Sequence, residues 1–164
     1  MLSNPTGRQI LQDKPRVTSE TWNLSAMTAL PEDTFGHQYA KWMSNFGYSA
    51  DERPISKYVP NAEHAYILQR YKEVHDTAHV LLGYGTSVSE EIAVKWYEML
   101  QTGLPISSLS AFAGPLNLLA TDLGQLKLLN TVYLPHILRN SKSHFFMNIY
   151  YERCFEIKLD DLRK

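Results

Sequence analysis

"NAEHAYILQRYKEVHDTAHVLLGYGTSVSEEIAVKWYEMLQT", residues 61–102, decides the fold. Apolar residues Ile67, Leu68, Tyr71, Val74, Ala78 and Leu82 recur at helical spacing, Asn61 is a capping residue before them, and Gly83 and Gly85 follow. This predicts one long helix from Asn61 to Leu82. Ser87 and Glu90 form a capping box for a second helix reaching about Thr102, where "GLP" breaks it.

Outward from this pair the pattern stays helical. Thr34 caps a helix through Phe35, Tyr39, Trp42, Met43 and Phe46, with Gly47 as its stop. "SADERPISKYVP" is rich in turn formers. Beyond Pro115, "LNLLATDLGQLKLLNTVYL" predicts a helix ending near Pro135, and "SHFFMNIYYERCFE" predicts one more. Period-two alternation is scarce and no linker or repeat divides the chain. The expectation is an all-α, single-domain helical bundle over residues 1–164, with an apolar groove.

At 164 residues the chain can bury a core without disulfides or structural metal, so a metal here would serve function. Sixteen Lys and Arg balance seventeen Asp and Glu with no basic run, which excludes nucleic acid as a partner. One cysteine, Cys154, precludes an internal disulfide and suits a reducing compartment. "MLSNPTGRQILQDKPR" reads neither as a signal peptide nor as a mitochondrial presequence. From Met99 to Thr121 no charge occurs for 23 residues, a length that could span a bilayer, but Gly103, Pro105, Gly114 and Pro115 are expected to cut it into shorter pieces. Together with Leu126, Leu129 and Val132, this segment is expected to line a groove for a lipid tail or to face a membrane; an ordinary buried core is the alternative.

Each helical residue advances about 100°, so His75 and His79 share one face, with Asp76 on the flank. Histidines at i and i+4 can converge on one metal ion, and Glu90 or Glu91 could supply a third ligand. The competing reading is a packed histidine pair, an i, i+4 ion pair of Lys72 with Asp76, and a solvated stripe of Glu91, Lys95 and Glu98. Spacing alone leaves both open. His64, His37, His136 and His144 read as packed or surface residues, and an HD-type phosphohydrolase completed by Asp122 is a remote third possibility.

The stretch from Ala65 to Pro105 resembles the ubiquinone biosynthesis family that takes its name from the fourth protein of the coenzyme Q pathway. Its signature is H-D-x-x-H, eleven residues, then E, matched by His75, Asp76, His79 and Glu91; "LPEDTFGHQYAKWM", "GPLNLL" and "YYERCFEIKLDDLR" extend the likeness. The resemblance implies a divalent metal, zinc first, with iron, cobalt or manganese, or an external oxidant, needed if a redox step occurs. His75, His79 and Glu91 would be its ligands, and Asp76 a fourth ligand or the carboxylate orienting a histidine; the four would form the catalytic set. Lys72 or Lys95 could pair with a substrate carboxylate. It further implies a carbon–carbon lyase of the 4-hydroxy-3-methoxy-5-polyprenylbenzoate decarboxylase type, acting with or without oxidation, and organisation of the coenzyme Q biosynthetic complex. The alternative is a non-catalytic lipid-binding scaffold. The implied partners are the polyprenylated benzoate lipid, other coenzyme Q proteins, a membrane surface contacted peripherally on the matrix side of the mitochondrial inner membrane, and a second copy of the chain.

Overall fold

A computed structural model describes residues 1–164. The chain is all-α, as expected: its elements are helices, and Thr34 with Lys158 forms an isolated β-bridge. The helices are α1 Pro5–Asp13, α2 Leu24–Thr28, α3 Phe35–Phe46, α4 Ala62–Glu73, α5 His75–Leu82, α6 Val88–Thr102, α7 Pro105–Thr121, α8 Leu123–Leu128, α9 Leu134–Asn140 and α10 Leu159–Leu162. They group into two compact units, Met1–Leu81 with His144–Lys164, and Leu82–Ser143.

In the first unit, Thr34 caps α3 through the His37 N–H, and Gly47 closes it with φ 68°. The free N–H groups of Phe35 and Gly36 donate to the carbonyls of Ile157 (2.8 Å) and Phe155 (2.9 Å), so the C-terminal segment satisfies donors that a helix start leaves open. Trp22, Phe35, Tyr39, Tyr151 and Phe155 pack edge-to-face and tilted around this junction. "SHFFMNIYYERCFE", expected as a helix, forms two short 3-10 turns, Phe146–Asn148 and Tyr151–Arg153. Tertiary contacts override propensity here: Phe146, Met147 and Tyr151 are buried, and Glu152 takes the buried Arg70 guanidinium in a two-pronged ion pair.

The expected single helix from Asn61 to Leu82 is two helices, interrupted at Val74 (φ −90°, ψ 3°). No Gly or Pro marks the site. The Thr77 hydroxyl and N–H both donate to the Val74 carbonyl, at 2.6 and 3.1 Å, competing with the regular ladder. Beside it the buried Glu73 carboxylate is held by Arg16 Nε (2.7 Å), the Val17 N–H (3.0 Å) and Gln69 (2.9 Å).

In the second unit, the capping box of Ser87 and Glu90 starts α6 and Gly103 (φ 66°) ends it, as the sequence predicts. Gly103 and Pro105 do interrupt the uncharged run, but Gly114 and Pro115 lie inside α7. Pro115 lacks the N–H that would reach Ala111, and the Trp96 indole N–H donates to that carbonyl instead, at 2.8 Å. Gly114 lets α7 approach α6, since a Cβ there would stand 2.4 Å from Ile92 Cγ1. The helix expected to end near Pro135 is likewise different. Asp122 leaves helical geometry and caps α8 through the Gln125 N–H, and the chain then passes through a π-turn, Leu129–Tyr133, into α9. Widening to the i−5 bond from Leu134 N–H to Leu129 accommodates Pro135 just beyond it.

Candidate metal centre

His75 and His79 open α5, and both are buried. Their Nε2 atoms lie 3.3 Å apart and their rings are perpendicular, with centroids 4.9 Å apart. Two nitrogens on one tetrahedral zinc, each about 2.0–2.1 Å from the ion, are about 3.4 Å apart. The separation therefore matches that of two imidazole ligands on one ion. Because both histidines fall after the Val74 break, their one-turn relationship survives the interruption of the long helix. Trp42 on α3 packs its ring against His79 (centroids 5.0 Å, tilted 38°), which fixes the imidazole plane.

Asp76 is 2% exposed, and its ion pair is with Arg53, not with Lys72 as the i, i+4 spacing suggests. Lys72 Nζ donates instead to the Pro54 carbonyl at 3.4 Å. Close to Asp76 stands Tyr39, wholly buried, whose hydroxyl has no hydrogen-bond partner; burial, and after it the Asp76 charge, raise its ionisation far above the ordinary phenol value. Sequence reading missed Arg53. The only available signal was general: a carboxylate beside a buried histidine needs a cation.

Glu91 sits half-buried in the first turn of α6, its N–H bonded to the Ser87 carbonyl at 2.9 Å. Glu90, the other candidate, has its carboxylate engaged by the N–H groups of Gly85 (2.9 Å) and Ser87 (3.1 Å). Glu98 is fully buried and receives Lys95 Nζ at 2.8 Å, so the stripe of Glu91, Lys95 and Glu98 is not the solvated face that spacing suggested. The remaining histidines are placed elsewhere in their elements: His37 bonds the Leu30 carbonyl at 2.9 Å, His136 pairs with the Tyr84 hydroxyl, and His64 and His144 are exposed. Asp122, which an HD-type phosphohydrolase would need as a ligand, is the α8 cap.

No helix is long and apolar enough to cross a membrane. On α7, Leu109, Phe112, Leu116 and Leu119 are 58–74% exposed, while Ala111 and Leu118 are buried. A helix that spends its largest apolar groups on solvent presents an unusual face. Leu129, expected on that face, belongs instead to the core.

An all-α chain carrying a buried His pair in an H-D-x-x-H turn is thus a candidate metal-binding protein. The family model described as "Coenzyme Q (ubiquinone) biosynthesis protein Coq4" matches residues 1–164, and the chain belongs to that family of ubiquinone biosynthesis proteins. It is 50% identical to the ubiquinone biosynthesis protein COQ4 homolog 2, mitochondrial, of Paramecium tetraurelia, over 100% of this chain and 77% of that protein. Identity is 46% to the mitochondrial COQ4 homolog of Nematostella vectensis (100% and 79% covered) and 40% to that of Homo sapiens (100% and 61%). The crystal structure of a protein from Nostoc punctiforme described as a ubiquinone biosynthesis protein shares the fold, with a TM-score of 0.79 at 21% identity over 98% of this chain and 74% of that one.

Proposed function

We propose that His75, His79 and Glu91 hold a divalent metal, zinc first, and that the chain removes the ring carboxylate of a polyprenylated 4-hydroxybenzoate-type precursor in coenzyme Q biosynthesis. The observation that carries the metal is the 3.3 Å separation of the two buried Nε2 atoms. Glu91 enters through its register, twelve residues beyond His79, on a helix whose start is pinned by the capping box. Three protein ligands leave a coordination position for substrate.

In the reaction the bond between ring and carboxylate carbon breaks, carbon dioxide leaves, and the electron pair stays on the ring, where a proton replaces it. A divalent ion held by these residues would supply Lewis-acid stabilisation to the substrate oxygens. The chain contributes ligand geometry, with both imidazoles oriented by packing and Trp42 covering one side of His79. An oxidative variant would put a hydroxyl where the carboxylate leaves as carbon dioxide; its oxygen would come from water or dioxygen and its two electrons would pass to an external oxidant such as dioxygen, with iron, cobalt or manganese as the redox-active ion. The exposed apolar face of α7 receives the prenyl tail or rests on the bilayer, at about 0.8 kcal/mol per buried CH₂. Peripheral residence on the matrix side of the mitochondrial inner membrane, assembly with other coenzyme Q proteins and self-association complete the reading.

The test is complementation of a coenzyme Q deficient strain with lipid profiling. Glu91→Gln and His79→Ala should leave coenzyme Q low and the carboxylated precursor accumulated. Normal coenzyme Q from both variants at native expression would instead support a non-catalytic scaffold.

A further inference from the structure

We propose that Lys95 is the residue that selects substrate by charge: its ammonium pairs with the ionised carboxylate on the ring, so that the carboxylated precursor is held and the product, which has lost that charge, is released. The inference rests on the substrate class proposed above and names the group that recognises it. Helix α6 runs without interruption from Val88 to Thr102, so Glu91, Lys95 and Glu98, at i, i+4 and i+7, share one face within an arc of about 60°. The proposed ligand Glu91 and the lysine therefore belong to one stripe, a turn apart. Lys72, the other lysine near the motif, lies on α4 and has its Nζ on the Pro54 carbonyl at 3.4 Å.

The partner of Lys95 sets it apart from an ordinary surface lysine. Its Nζ donates to Glu98 Oε2 at 2.8 Å, and the Glu98 side chain is 0% exposed whereas that of Lys95 is 23% exposed. The pair is thus sealed at the carboxylate and open at the cation. Burying such a pair gains little over apolar residues of the same size, because desolvation offsets the attraction. Stability alone does not account for it; a cation kept in place for an anionic ligand does. The rest of α6 holds that cation's base steady: Val94 and Tyr97 are buried, the Trp96 indole is bonded to the Ala111 carbonyl at 2.8 Å, and the Thr102 hydroxyl donates to the Glu98 carbonyl at 2.7 Å. Glu98 is accordingly a positioning residue that gives direction to a flexible four-carbon side chain. An ammonium has three donors, so it can serve Glu98 and a substrate oxygen together.

The experiment titrates the purified full chain, in detergent micelles, with farnesylated 4-hydroxybenzoate and with the matching farnesylated phenol that lacks the carboxylate. Tryptophan fluorescence gives the ratio of the two Kd values, and metal content and melting temperature are measured on each variant. The wild type should prefer the acid by about 10-fold or more, the size of a charge-assisted hydrogen bond. Lys95→Met alone leaves the Glu98 charge buried without its cation, so the deciding variant is Lys95→Met with Glu98→Gln, a neutral pair. It should lose most of the preference for the acid while keeping the wild-type metal content. Should it fail to fold, Lys95→Gln, whose amide still donates to Glu98, decides the matter by the same ratio. Lys95→Arg should keep a preference for the acid, and Glu98→Gln alone should lower it. A wild-type preference retained in the folded neutral variants, or a wild type that binds acid and phenol alike, would overturn this inference and leave the metal reading standing. A wild type without bound metal whose preference still depends on Lys95 would overturn the metal reading and leave this inference standing.

Discussion

The Trp96 indole donates at 2.8 Å to the carbonyl of Ala111, the acceptor that Pro115 deprives of its helical donor. One side chain of α6 thereby repairs the ladder of α7 and lets it run unbroken through a proline. Trp96→Phe should cost about 1–3 kcal/mol by leaving a buried carbonyl unpaired. Pro115→Ala restores the backbone donor and should recover much of that loss in the double variant. Urea unfolding of the four proteins closes the cycle; additive losses would refute the repair.

Gly114 and Ile92 make the companion contact. With a Cβ only 2.4 Å from Ile92 Cγ1, Gly114→Ala forces the helices apart or Ile92 off its rotamer, at about 1–3 kcal/mol. Adding Ile92→Ala should relieve the clash, so the double variant is more stable than the sum of the singles predicts. Chemical unfolding checks it.

Most of the helix grammar was legible. Thr34, Gly47, Ser87, Glu90 and Gly103 each act at the position their chemistry specifies. What was not legible depends on partners distant in sequence. The break at Val74 comes from Thr77 and from the grip of Arg16 and Val17 on Glu73, and nothing local announces it. Pro115 looked like a helix end because its rescuer, Trp96, lies on another helix. At the site, residue spacing pointed to the two histidines, whereas Arg53 lies in a turn-rich loop with no periodicity to read.

Cys154 allows a test of burial by pH. Burial, and after it the Glu152 carboxylate, push its thiol up to about 11 from an ordinary 9.0, and Sγ donates to the Tyr150 carbonyl at 3.3 Å. The folded state favours the neutral thiol, so this contribution to stability is full below pH 9 and is lost as pH rises towards 11. Alkylation by iodoacetamide at pH 8.5 should be far slower in the native chain than in urea. Equal rates would mean an open thiolate.

The exposed apolar face of α7 should discriminate ligands by tail. Long-tailed polyprenyl benzoates should bind liposome-free protein far more tightly than tailless rings, and Leu109→Ser with Leu116→Ser should erase most of the difference. Fluorescence titration of both ligand classes measures it. Equal affinity for both would assign that face another role.

The central claim is tested most directly by elemental analysis of the purified chain. The wild type should carry close to one divalent ion per chain. His75→Ala and His79→Ala should each lose most of it while keeping their helical circular dichroism, and Glu90→Gln, altering the neighbouring cap but no proposed ligand, should keep it. Retention of wild-type metal by both histidine variants would contradict the account.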